Sequence, residues 1–192
     1  MIAQVGTIVV GFADNIMVGH YSTQSLAASS FVINIFNIVV LCCLGFSYGL
    51  TPIIGTLFAQ KRNNEIGLTL RAGLIANVVV GGVLSLVMGM LYFYIDMMGQ
   101  PDELLPLIKP YYLIFLASLI PLSVFNVFAQ WSYAIKNTAM PMWILLSCNI
   151  INIAGNYMLI YGNWGAPELG LTGAGLSTLF VRVLASLIIM AI

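Results

Sequence analysis

The sequence predicts an all-α, polytopic membrane bundle of six transmembrane helices. Three observations predict it. Of 192 residues, 61% are hydrophobic and only 6% charged, whereas a soluble domain carries about 25% charged residues. Twelve charges, six of each sign, are too few to clothe a soluble surface of this size. The apolar sequence is also cut by five polar clusters into segments near the roughly 20 residues needed to cross a bilayer. High hydrophobicity with low charge excludes disorder. The balanced net charge gives no basic stripe, so no nucleic-acid partner is expected.

The polar clusters are GHYSTQS (19–25), KRNNE (61–65), DMMGQPDE (96–103), KNTAMP (136–141) and YGNWGAPELG (161–170). They leave apolar segments near 1–18, 26–58, 66–95, 105–134, 139–161 and 171–192. The second is too long for one straight span, so a tilt, a kink near Gly45, Gly49 or Pro52, or an interfacial turn is expected there. The N-terminus lacks a positive region and Asp14 interrupts its apolar run, which disfavours a cleaved signal peptide. Both ends lie in apolar sequence, and the chain is expected to be a piece of a longer protein.

Orientation follows from Lys and Arg in short loops. Lys61, Arg62, Arg71 and Lys136 flank the even-numbered breaks, against Lys109 alone at the odd ones. Both ends of the chain are therefore expected to face the cytoplasm. Arg182 falls near mid-membrane, where a charge costs about 2.5–3.5 kcal/mol on insertion scales. It is read either as snorkelling toward the cytoplasm or as a functional group inside the bundle. Gly81, Gly82, Gly173 and Gly175 are expected to allow close helix approach. Tyr92, Tyr94, Tyr111, Tyr112, Tyr157, Tyr161 and Trp164 cluster near the outer face, where lipid-facing or interfacial belts are expected. Cys42, Cys43 and Cys148 have no metal or disulfide spacing and read as small packing residues.

No hydrolase, kinase, redox or nucleotide motif occurs, so no enzyme and no cofactor are expected. His20 reads as an interfacial residue. Asp14 stands out as the one acidic residue inside a span, and an ionisable group at that depth is a functional hypothesis. It lies about 20 Å along its helix from Met1. Asn149, Asn152 and Asn156 share a helix face at i, i+3 and i+7, and the last two lie about 20–25 Å along theirs. Ser177 and Thr178 reach the same layer from the opposite direction. One carboxylate, two carboxamides and a hydroxyl are hard oxygen donors, suited to an alkali or alkaline-earth cation. A buried carboxylate also holds a proton. The residues alone leave Na⁺ and H⁺ open.

GFADNIMVGHYSTQSLAASS (11–30), PIIGTLFAQKRNNE (52–65) and CNIINIAGNYMLIYGNWGAPELGLTGAGLST (148–178) resemble the multidrug and toxic compound extrusion (MATE) transporters, in order and spacing along essentially the whole chain. The resemblance is greatest to the NorM-like bacterial branch. It implies the N-terminal six-helix lobe of a twelve-helix transporter, with the C-terminal lobe absent from this sequence. It implies antiport of organic, often cationic, drugs against Na⁺ or H⁺ in a bacterial inner membrane. The implied partners are small drug-like molecules, membrane lipids, and the missing lobe or a second copy. Asp14 matches the family's helix-one aspartate, Asn152 and Asn156 its helix-five polar pair, and Thr178 its helix-six hydroxyl, with Thr172 and Ser177 as competing registers. Some members carry aspartate where this chain has Asn156, which disfavours a two-carboxylate proton site here. The alternatives are a lipid-linked-precursor flippase, which should line its cavity with several basic residues, and a non-transporting membrane scaffold, which needs no intramembrane carboxylate.

Overall fold

A computed structural model describes the backbone of residues 2–191 and the side chains of residues 11–191. Among the described residues eight α-helices make six spans. They are α1 (Ile2–Tyr21), α2 (Thr23–Tyr48), α3 (Leu50–Ala59), α4 (Asn63–Tyr92), α5 (Leu105–Ala117), α6 (Leu119–Ala134), α7 (Ala139–Tyr161) and α8 (Leu171–Ala191). There is no β-strand among the described residues. Helices α2 with α3, and α5 with α6, each form one interrupted span. Five spans are long and apolar enough to cross a membrane. The sixth, α1, is 20 residues long and carries Asp14, Asn15 and His20.

Both interruptions have a proline cause. A proline lacks the N–H that would bond the carbonyl four residues earlier. Pro52 thus leaves Tyr48, the last residue of α2, without its helical donor, and the break falls at Gly49. Pro121 does the same to Ala117, the last residue of α5, and the break falls at Ser118. The first is one of the three positions read from the sequence. The second was not foreseen.

Other boundaries differ by a few residues. The first polar cluster is almost wholly helical: only Ser22 is out of helix, and its hydroxyl caps α2 by accepting from Ser25 N. KRNNE is half absorbed into α4, whose first-turn Glu65 pairs with Arg62 and sits favourably at a helix N-terminus. At the same end of the bundle α3 and α6 stop on Lys61 (φ 59°) and Lys136 (φ 65°), both left-handed. In each, the next N–H reaches back five residues, Arg62 N to Leu57 O (3.0 Å) and Asn137 N to Ser132 O (2.9 Å). This is the Schellman termination, with a cation at the negative helix end.

The apolar core is split by level. One cluster joins Val18, Val32, Phe36, Met88, Tyr112, Leu119, Ile160 and Ala174 toward the end where α1 finishes. Toward the opposite end lie two smaller clusters, one built on Phe125, Cys148, Val181 and Ile189 and one on Leu50, Ile54, Ile66 and Val127. Between these levels every span carries a polar side chain: Asp14, Ser47, Asn77, Ser123, Asn152 with Asn156, and Ser177. Ser47 and Asn77 pair directly, hydroxyl to amide oxygen, at 2.6 Å. Tyr111 and Tyr112, expected at the lipid interface, are buried in the first cluster instead. The Tyr112 hydroxyl donates to Met88 O at 2.8 Å, so the ring is buried without an orphaned polar atom.

Candidate functional site

The polar layer is densest between α1, α7 and α8. Parallel α1 and α7 are fixed where they finish: the Tyr161 hydroxyl donates to Met17 O at 2.8 Å, and the Tyr21 and Tyr161 rings meet edge to face. One turn below Met17, the Asn156 amide donates to Asp14 Oδ1 at 2.6 Å. Its second hydrogen is aimed at Asn152 Oδ1, at 3.5 Å. The Asn152 amide donates to Ser177 Oγ at 3.3 Å, and that hydroxyl donates to the Asn152 carbonyl at 3.1 Å. A single hydrogen-bonded chain thus runs Asp14–Asn156–Asn152–Ser177 across three helices.

Glycine makes this closeness available. A Cβ on Gly155 would stand 2.5 Å from Ser177 Oγ, and one on Gly173 would strike the backbone of Leu159. Gly175 takes the Tyr111 ring and Gly81 takes Ser123 Oγ in the same way. Gly82, expected among the close contacts, faces open space; Gly155, which was not singled out, makes the contact that matters to the site.

Of the residues read from the sequence, Asp14, Asn152 and Asn156 come together. Thr178, next to Ser177 on α8, turns back on its own helix, donating to Ala174 O at 3.0 Å. Ser177, its neighbour in register, is the hydroxyl bonded to Asn152. Asn149 stays apart, with its amide nitrogen buried and unpartnered among the described residues. Asp14 is half-buried, whereas Asn156 is fully buried.

The oxygen donors fit a small cation. Asn156 Oδ1 is buried and has no partner among the described residues, an arrangement that costs about 1–3 kcal/mol unless something fills it. The nitrogen of the same amide contacts the one carboxylate of the layer, and Asn152 Oδ1 is held only by a long bond. One negative charge with neutral oxygens balances a monovalent ion or a proton. A divalent ion would leave an uncompensated charge in a low-dielectric layer. Among the described residues there is no cluster of three or more His, Cys, Asp or Glu side chains of the kind that holds a transition metal.

Arg182 is held within the bundle. Its guanidinium donates to Ser118 Oγ at 2.5 Å and lies 5.1 Å over the Phe115 ring. Its charge meets a hydroxyl and an aromatic face contributed by the fourth span.

With this geometry in place, comparison with known proteins identifies the family. Residues 1–158 match the sequence profile of the MatE family. The chain belongs to the MatE family. It is 31% identical over 183 residues to the probable multidrug resistance protein NorM of Bacillus licheniformis, covering 93% of this chain and 40% of that protein. It is 28% identical over 176 residues to the probable multidrug resistance protein NorM of a Synechococcus species, covering 92% and 38%. Another relative, from Bacillus subtilis and 30% identical over 187 residues, covering 91% of this chain and 39% of that protein, is named as an uncharacterized transporter. A solved outward-facing multidrug resistance MATE transporter superposes with TM-score 0.88 at 21% identity, over 98% of this chain and 41% of that one. An inward-facing one gives 0.84 over 94% and 40%. At that identity the likeness carries the helical fold. The chain spans about two fifths of the length of the relatives it matches.

Proposed function

We propose that this MatE chain is the N-terminal six-helix lobe of a bacterial inner-membrane antiporter that exports organic, often cationic, drugs in exchange for Na⁺ or H⁺. Asp14, Asn156 and Asn152 hold the coupling ion, with Thr178 at the edge of the site and Ser177 fixing Asn152. The observation that carries this reading is the Asp14–Asn156 contact, with the Oδ1 of the same amide buried and unpartnered among the described residues. A carboxylate in the membrane is expensive to keep empty. Its free energy therefore depends strongly on whether a cation is bound, which a coupling site requires.

In this reading the end with Lys61, Arg62 and Lys136 faces the cytoplasm, as do both ends of the chain, and the drug passes between this lobe and its partner. Arg182 is the one basic side chain placed at mid-span among the described residues, and it is engaged by Ser118 and Phe115. A pyrophosphate-carrying flippase would need several such groups free, so drug antiport is the better reading.

The test uses Asp14→Asn in the full-length protein, with efflux of a fluorescent cation followed under imposed Na⁺ and H⁺ gradients in turn. The variant keeps size and hydrogen bonding, so normal insertion with loss of efflux is expected. Loss under one gradient only identifies the coupling ion. Wild-type efflux under both gradients would refute the role of Asp14 and favour a scaffold.

A further inference from the structure

We infer that Arg182 is a positioning residue that couples the occupancy of the Asp14 site to the proline break of the fourth span. The inference rests on the ion-site reading above, and Arg182 itself touches no ion. Helix α8 packs against α7 on one side and against α5 and α6 on another. Ser177 faces α7 and is bonded twice to Asn152. Arg182, five residues and about 7.5 Å further along α8, faces the break instead. There its guanidinium donates to Ser118 Oγ, which in turn donates to Phe115 O at 2.7 Å, and it stacks on the Phe115 ring. One rigid helix thus carries the serine that fixes the site at one level and the clamp on the interruption at the next.

The interruption is a place where the lobe can bend. Ala117 O has lost its helical donor to Pro121, so rotation about Ser118 breaks fewer hydrogen bonds than rotation elsewhere in that span. The apolar core is also divided at this level, with Leu119 in one cluster and Phe125 and Val127 in the others. Above the break, Tyr111 of α5 rides over Gly175 of α8, where a Cβ would stand 3.0 Å from the ring. A shift of α8 driven at Ser177 therefore reaches α5 through Tyr111 and the break through Arg182. Asp14→Asn removes the driving charge, whereas loss of Arg182 leaves the ion site whole and disconnects it.

The experiment places spin labels at Leu113 on α5 and Ile150 on α7, both exposed. It uses the full-length protein with its native cysteines replaced, and measures the distance between labels with and without saturating Na⁺ and at low against high pH. Ion affinity is titrated on the same samples. An ion-dependent distance change is expected in the otherwise wild-type protein and none in Asp14→Asn. Arg182→Met and, independently, Ser118→Ala should lose most of that change while binding the ion within about threefold of wild type, below 1 kcal/mol. Arg182→Lys, which can still donate to Ser118, should recover part of it. A change undiminished in both Arg182→Met and Ser118→Ala would overturn the coupling and leave the ion site standing. So would its absence in the wild-type background while Asp14→Asn still abolishes efflux. Undiminished efflux in Asp14→Asn would overturn the site and the coupling together.

Discussion

Alanine at Gly155 would place a methyl group where the site has no room. Its Cβ would lie 2.5 Å from Ser177 Oγ and 3.3 Å from Ser177 Cβ. The hydroxyl cannot turn away freely, because it is bonded to both the carbonyl and the amide of Asn152. Overpacking costs about 1–3 kcal/mol, and each lost hydrogen bond about 0.5–1.5. The intrinsic gain of alanine over glycine in a helix returns about 1 kcal/mol. A net loss of about 1–3 kcal/mol is expected, together with weaker ion binding, because Asn152 is no longer fixed. Ser177→Ala removes the nearer clash, so in its presence Gly155→Ala should cost about 1–2 kcal/mol less than alone, a coupling typical of residues in contact. Unfolding of the four proteins of this cycle in detergent, at matched ion concentration, measures it. A Gly155→Ala protein as stable as wild type would refute the packing argument. Costs adding within about 0.5 kcal/mol would do the same.

Other consequences can be checked separately. Ser47→Ala should destabilise by about 1–3 kcal/mol, because it leaves the buried Asn77 amide oxygen without the hydroxyl at 2.6 Å; the thermal midpoint measures it, and no loss would show that the pair is not a structural bond. Tyr112→Phe should cost about 1 kcal/mol for the bond to Met88 O, without altering ion affinity. Single cysteines at Asn63 and Thr138 should react only with membrane-permeant reagents in intact cells, and one at Gln100 with impermeant ones as well; the opposite pattern would invert the proposed orientation. Cells making only residues 1–192 should show no drug efflux, since the proposed pathway lies between two lobes.

The all-α membrane class was legible because it depends on composition and span length, which neighbours do not change. Asp14 was legible because a carboxylate in an apolar span is rare, and Asn152 and Asn156 because helical rise puts them at its depth on one helix face. Direction around the helix axis was harder. Ser177 and Thr178 differ by about 100° of rotation at 3.6 residues per turn, and only the packing of α8 against Gly155 decides which one meets Asn152. Tyr111 and Tyr112 have the composition of an interfacial belt, yet the Met88 carbonyl offers the second of them a buried partner. The break at Ser118 had a signal in Pro121. The surrounding segment, 105–134, is only three residues shorter than 26–58 and as long as 66–95, which has no break before Tyr92, so length alone does not reveal the kink. The destination of Arg182 could not be read at all, because Ser118 is 64 residues away and unremarkable until the span breaks beside it.

That break offers a last test, since one substitution should repair it. Pro121→Ala returns an N–H to the Ala117 carbonyl and removes the ring that crowds it. Proline inside a helix is disfavoured by about 3 kcal/mol relative to alanine. Part of that is already relaxed by the break, so a gain of about 1–2 kcal/mol in stability is expected. Straightening α5 into α6 would also rotate Ser118 relative to Arg182 and part the 2.5 Å contact. The protein should therefore become more stable, with a newly protected amide at position 121, yet export more slowly at saturating ion and drug. Pro52→Ala is the control: it repairs the break at Gly49 in the same way, but Arg182 is not attached there. Hydrogen exchange reads the amides, and initial efflux rates read the function. If Pro121→Ala stabilises the protein and exports at the wild-type rate, the break is an accident of packing. If both repairs slow export equally, flexibility of either span matters and the Arg182 contact has no special part in it. Slower export from the Pro121 repair alone is what a clamp at Ser118 requires.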